Sequence, residues 1–258
     1  MPGPLPSPQA AAEALEGEGG VLTGLSAGKI WLEMSSSDHQ EVLRLGERVN
    51  ALGAHALDSP VSGGCHRAAT GNIAIFTGGA RAAFERALPV LTTIGREVLY
   101  TGPLGSASIL KVATNYLAGV HLIATGEALL VAKKTGIDLG VAYEAIRMSS
   151  GNSFTHETGG QLILNRGYAV DFTMDLELKD LSLFQSLAEQ HQIRLELSPL
   201  AVDIVADALN RYGPRAWSTQ VVKRLEDDCD TELRAPGFPE TLTDGESEGA
   251  GREVLPRR

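Results

Sequence analysis

Apolar residues recur on nearly every face of the stretch 102–134, GPLGSASILKVATNYLAGVHLIATGEALLVAKK. Ile109, Leu110, Val112, Leu117, Val120, Leu122, Ile123, Leu129, Leu130 and Val131 fall within about 28 proline-free residues, a predicted helix roughly 40 Å long. Ser106 or Ser108 is its candidate cap, after a loop punctuated by Gly and Pro. A helix apolar all round is expected to be buried on most sides. Lys111, Asn115, His121 and Glu127 interrupt its long apolar windows, which argues against a membrane span.

Before this helix, short apolar runs alternate with helical stretches. Strands are predicted at 29–34 (KIWLEM), 53–61 (GAHALDSPV), 72–77 (NIAIFT) and 97–100 (EVLY). Residues 9–25 read as a short helix and a Gly-rich turn. A helix over 38–52 follows the cap signal Ser35-Ser36-Ser37-Asp38. Another spans 80–94, with Pro89 as a candidate break. After Lys134 the pattern is helical, at 138–148, 161–165, 176–190, 199–212 and 217–227. A polar loop is expected at 149–158, and RLEL at 194–197 is a brief strand signal. The fold class is α/β followed by all-α, with a sheet that reads as the second half of a doubly wound one. The expected domains are 1–102, a helical domain over 103–235 built on the long buried helix, and a disordered Pro/Gly/Glu-rich tail over 236–258.

Composition narrows the function classes. The chain has 258 residues, 43% hydrophobic and 21% charged, as expected of a globular protein. Its net charge is −10 and no basic run suits a nucleic acid or an anionic membrane. Cys65 and Cys229 lie far apart without zinc-ligand spacing, so no metal site is expected. That cysteine usage suits a reducing compartment, and no secretory signal is visible, so the expected location is cytoplasmic.

Lys111 and Asn115 are the polar residues near the start of the long helix, four apart and on one face. A buried lysine needs a partner or becomes available as a base, and an asparagine offers a donor and an acceptor to a bound hydroxyl. The same spacing also fits a lysine snorkelling from a frayed helix start.

In order along the chain, Glu33-Met34-Ser35-Ser36-Ser37 resembles a strand-end D-x-S-T loop. Asp58-Ser59-Pro60-Val61-Ser62-Gly63-Gly64, with Ala68 and Gly71, resembles D-A-P-V-S-G-G. Gly102-x-x-Gly105 through Lys111 to Asn115 resembles G-x-x-G-x-G-x-x-x-K-x-x-x-N, with Ala107 at the third glycine. Phe172 through Lys179-Asp180-Leu181 resembles F-x-x-x-L-x-x-K-D-L. Together these resemble the β-hydroxyacid dehydrogenases, which include 3-hydroxyisobutyrate, tartronate semialdehyde and 6-phosphogluconate dehydrogenases.

The resemblance implies a Rossmann-like dinucleotide-binding domain and an oxidoreductase that moves a hydride between NAD or NADP and a small 3-hydroxyacid. It implies Lys111 as general acid/base and Asn115 as its orienting neighbour. Ser62, Gly63 and Gly64 are implied as substrate-binding, through backbone N–H groups that suit a carboxylate. Leu5 and Pro6 (the family's L-P-x-P), Ser36 and Lys179 are implied as cofactor-binding. The alternatives from the residues alone are a proline-rich terminus, a capping serine and a surface lysine. The resemblance also implies a homodimer through the helical domain.

The family opens with a strand and a G-x-G-x-x-G phosphate loop, which this sequence does not contain. About 65–70 residues of the doubly wound sheet are therefore expected to be missing. The alternative function is a non-catalytic binding or dimerisation module that has lost its cofactor.

Overall fold

A computed structural model describes residues 5–246 and 249–256. It divides into two compact units, one formed by the chain up to Ala113 and from Asp244 onward, the other by Thr114–Thr243.

Unit 1 is a mixed sheet with helices on both faces. Its strands are β1 (Ile30–Glu33), β2 (His55–Asp58), β3 (Val61–Ser62), β4 (Ala74–Gly79), β5 (Glu97–Gly102) and β6 (Arg252–Val254). The sheet order is β1-β2-β4-β5-β6, with β3 also on β4. β1 and β2, β4 and β5, and β5 and β6 run parallel, while β2 and β3 run antiparallel to β4. The expected single strand over 53–61 is thus two. Pro60 supplies no N–H to the ladder, so pairing lapses at Ser59-Pro60 and resumes at Val61 along the same neighbour.

Alternation along β2 sends Ala56 to one face and Leu57 to the other. On one side α4 (Arg81–Ile94) buries Phe84 and Leu91 against Leu57, Ile75 and Val98. On the other, α1 (Pro8–Glu16) and α2 (His39–Asn50) bury Leu15, Leu45 and Val49 against Trp31 and Ala56. Each fully buried large side chain contributes about 1.5–3 kcal/mol. Pro89 does not break α4, because it sits on the solvent-facing side, where water can take the carbonyl its ring leaves unpaired. α3 (Cys65–Ala69) is a short turn of helix after the glycines.

The tail expected to be disordered from 236 instead carries β6, which pairs with β5 over Glu97–Leu99. Its composition lacks a core pattern, but strand pairing uses the backbone and needs none.

The long helix α5 (Ser106–Lys134) begins in unit 1 and runs on into unit 2. By length and composition alone, with mean hydropathy 1.2, it could cross a membrane. It is not buried on most sides. Leu122 and Leu129 lie in the core of unit 2, while Leu117 is 51% and Val131 63% exposed. Unit 2 is otherwise α6 (Leu139–Arg147), α7 (Phe154–Asn165), α8 (Met174–Gln190), α9 (Leu197–Tyr212) and α10 (Lys223–Asp228). Its core joins Leu122, Leu129, Ile163, Leu164, Met174, Leu181 and Val205. The polar loop expected to reach 158 ends at Ser153, whose hydroxyl accepts the His156 N–H at 3.0 Å and starts α7 early. RLEL forms no strand, since Leu197 opens α9.

Candidate active site

Within unit 1 the start of α5 is built around one carboxylate. Asp58, fully buried at the end of β2, accepts N–H bonds from Gly105 at 2.9 Å and Ser108 at 2.8 Å, and the Ser108 hydroxyl at 3.0 Å. A helix N-terminus offers unpaired N–H groups and a positive dipole end, which a carboxylate answers. Lys111 follows one turn after Ser108 and is 8% exposed, so its ammonium-bearing chain is held in the interior.

Ser62 ends β3, and Gly63 and Gly64 turn the chain with φ of 134° and 84°. Both values lie where a Cβ is strained, so the loop requires glycine and keeps its N–H groups unhindered. The Gly64 carbonyl accepts the Ala68 N–H at 3.1 Å, tying the loop to α3.

After β1, the buried Glu33 carboxylate accepts the Ser35 N–H at 2.8 Å and folds the loop that carries Ser36, which is half-buried. The Ser35 hydroxyl accepts the Leu5 N–H at 2.7 Å. Leu5 and Pro6 are thereby brought beside the Ser35-Ser36 loop.

Within unit 2, Asn115 donates through Nδ2 to Asp180 Oδ2 at 2.5 Å, and Lys179 Nζ lies 3.0 Å from Asp180 Oδ1. Asp180 is 2% exposed and holds both side chains by one carboxylate. Reading the sequence named Asn115 and Lys179 but gave Asp180 and Asp58 no part. Their signals were present, as the acid of K-D-L and the first acid of DSPVSGG. Among the described residues no group of three or more His, Cys, Asp or Glu side chains could hold a metal ion.

Comparison with known proteins finds relatives that span both units. Residues 4–102 match the family model described as the NAD binding domain of 6-phosphogluconate dehydrogenase. Residues 105–225 match the one described as the NAD-binding domain of NADP-dependent 3-hydroxyisobutyrate dehydrogenase. The chain is 31% identical to 2-(hydroxymethyl)glutarate dehydrogenase of Eubacterium barkeri over 201 residues, 78% of this chain and 67% of that one. It is 31% identical to L-threonate dehydrogenase of Haemophilus influenzae over 210 residues, covering 81% and 70%. The crystal structure of 3-hydroxyisobutyrate dehydrogenase from Salmonella typhimurium superposes with TM-score 0.78 at 28% identity, covering 84% of this chain and 76% of that one. With the sheet unit, the long helix and the helical unit all matched, the chain belongs to the β-hydroxyacid dehydrogenases, NAD(P)-dependent oxidoreductases that interconvert a hydroxyacid and its carbonyl form.

Proposed function

We propose that Lys111 is the general acid/base with which this dehydrogenase acts on a small 3-hydroxyacid. The observation that carries the reading is a lysine 8% exposed, one turn after a helix start held by three hydrogen bonds to Asp58. A hydride leaves the carbinol carbon only as the hydroxyl proton is removed. The Lys111 amine takes that proton in the oxidative direction, and the ammonium returns it to the carbonyl oxygen in the reductive one. Asn115 orients the reacting hydroxyl through its amide. Ser62, Gly63 and Gly64 take the substrate carboxylate through backbone N–H groups.

The contact of Leu5 with Ser35 fits the nicotinamide-facing end of NAD or NADP, because it joins the two segments of unit 1 assigned to the cofactor. Leu5, Pro6, Ser36 and Lys179 would hold it. When bound, the nicotinamide supplies the hydride acceptor or donor. We place the enzyme in the cytoplasm, in keeping with its bacterial relatives.

A homodimer through the helical unit is supported by an exposed seam on α5, where Leu117, Ala124 and Val131 recur at seven-residue spacing. Sedimentation of the purified chain tests it: Leu117→Arg with Val131→Arg turns a dimer into a monomer, and a monomeric parent chain refutes it.

The decisive assay follows nicotinamide absorbance with 3-hydroxyisobutyrate, L-threonate and 2-(hydroxymethyl)glutarate, each with NAD+ and NADP+. Lys111→Ala lowers kcat by about 10²–10⁴-fold on whichever substrate is used. A variant retaining full kcat would remove Lys111 from the chemistry.

A further inference from the structure

The chain returns to unit 1 after unit 2, and its return bears on the substrate loop. Asp244 Oδ2 accepts the Thr70 hydroxyl and the Asn72 Nδ2, each at 2.5 Å. Asp244 Oδ1 accepts the Glu246 N–H at 3.1 Å, which turns the segment so that the Glu246 carboxylate meets Arg67 at 2.6 Å. The Glu246 carbonyl accepts Asn72 Nδ2 at 3.2 Å. Thr70, Asn72 and Arg67 all belong to the short span that follows Gly64.

Further on, the segment is anchored to the sheet. A Cβ on Gly251 would lie 2.2 Å from the carbonyl oxygens of Gly95 and Thr92, so only glycine permits the approach. Arg252 N–H donates to Arg96 O at 3.0 Å, and Arg252 and Glu253 pair with Glu97 at 2.8 Å and Arg81 at 2.9 Å.

The route to the loop is short. The stem of Arg67 lies against Gly63, with Cδ and Cβ 3.4 and 3.5 Å from where a Cβ on Gly63 would sit. Asn72 is 5% exposed and its N–H bonds the Arg67 carbonyl at 2.8 Å, so a pull on Asn72 or Arg67 is felt at α3 and at the glycines.

We propose that the C-terminal segment is a positioning element of the substrate site, in which Asp244 and Glu246 clamp the span 65–72 and so hold the Ser62-Gly63-Gly64 loop in its anion-binding conformation. The proposal rests on the reading of that loop as the carboxylate site. Asp244 and Glu246 touch no reacting group; they act through Thr70, Asn72 and Arg67. The Thr70 hydroxyl and the Asn72 amide hold the Asp244 carboxyl down to about 2, so Asp244 itself stays charged throughout the neutral range.

The test uses the full chain with Asp244→Ala plus Glu246→Ala, and Asp244→Asn as the conservative variant. Hydrogen exchange reads the loop without any substrate, and steady-state kinetics with 3-hydroxyisobutyrate reads the site. In the double variant, amides in 62–72 exchange about tenfold faster while those of α4 do not change. KM for the acid rises about tenfold with kcat within about twofold. Asp244→Asn keeps an acceptor for Thr70 and Asn72 but none for the Glu246 N–H, so it falls between the parent chain and the double variant. Unchanged exchange overturns the clamp, and faster exchange with unchanged KM overturns its part in substrate binding. If the parent chain turns over no hydroxyacid with either cofactor, the reading of the site has failed instead. Exchange at 62–72 then decides the clamp by itself.

Discussion

Asp58 and Asp180 are both buried carboxylates beside α5, yet their partners differ in kind. Asp58 accepts two backbone N–H groups and a hydroxyl at the helix start. Asp180 accepts an amide and faces an ammonium, carried by side chains that the family resemblance implicates in orienting the substrate (Asn115) and in binding the cofactor (Lys179). A carboxylate satisfied by backbone donors builds an element, because its loss leaves buried N–H groups unpaired. One satisfied by side chains aims them, because its loss frees their rotamers while the helices stay packed. In unit 1 the acid makes the platform for Lys111. In unit 2 the acid fixes Asn115 and Lys179 on platforms that hydrophobic packing has already made.

That contrast predicts a split between stability and activity. Trp31 lies in unit 1 and Trp217 in unit 2, so fluorescence can follow each unit during urea unfolding. Asp58→Ala produces the largest loss, about 3–5 kcal/mol in the transition reported by Trp31, from three buried donors left unpaired. Asp180→Asn leaves the Trp217 transition within about 1 kcal/mol but lowers kcat/KM by about 10–100-fold, as misplaced catalytic groups do. If Asp180→Asn unfolds unit 2 and Asp58→Ala does not disturb unit 1, the distinction collapses.

His156 sharpens the comparison as a buried titratable group with no counter-charge bonded to it. Its Nε2–H donates to the Tyr143 carbonyl at 3.0 Å, its ring stacks on Tyr143, and Nδ1 has no hydrogen-bond partner among the described residues. Burial is the main cause that pushes it below its ordinary 6.5, so the folded state binds the proton more weakly than the unfolded chain. The stability it contributes is complete above about pH 6.5 and is lost as pH falls through that value toward the folded one. The urea midpoint followed at Trp217 should therefore drop between about pH 7.5 and 5.5, and His156→Gln should reduce the drop. The smallest effect belongs to an exposed pair. Glu253→Gln, which removes one of the two carboxylates on the half-exposed Arg81 and leaves Glu85, changes stability by less than about 0.5 kcal/mol in the Trp31 transition.

Much of the architecture was legible in the residues. KIWLEM, NIAIFT and EVLY each form a strand, trimmed or extended by a few residues, because short apolar runs bounded by Gly and polar clusters have few other uses. The apolar run after Gly102 forms the 29-residue helix for the same local reason. DSPVSGG revealed the glycine turn, since φ of 134° and 84° requires residues without a Cβ. At the tail a partner distant in sequence decided, since β6 forms only by pairing with β5, whereas the misses at Pro60 and Ser153 have local causes. Pro89 stays within its helix because its face happens to be the wet one.

From the residues alone come most of the helices and strands, though not β6 or the start of α7, together with the glycine turn after Ser62 and the family the chain resembles. These follow from local sterics, periodicity and motif spacing. Only the tertiary structure decided that Asp58 and Asp180 carry opposite duties, and that α5 leaves a seam open. It alone also decided that the C-terminal segment returns to pair with β5 and to bond Thr70, Asn72 and Arg67. Composition cannot foretell such pairings, because hydrogen bonds between residues far apart in the chain depend on geometry that exists only after the cores have formed.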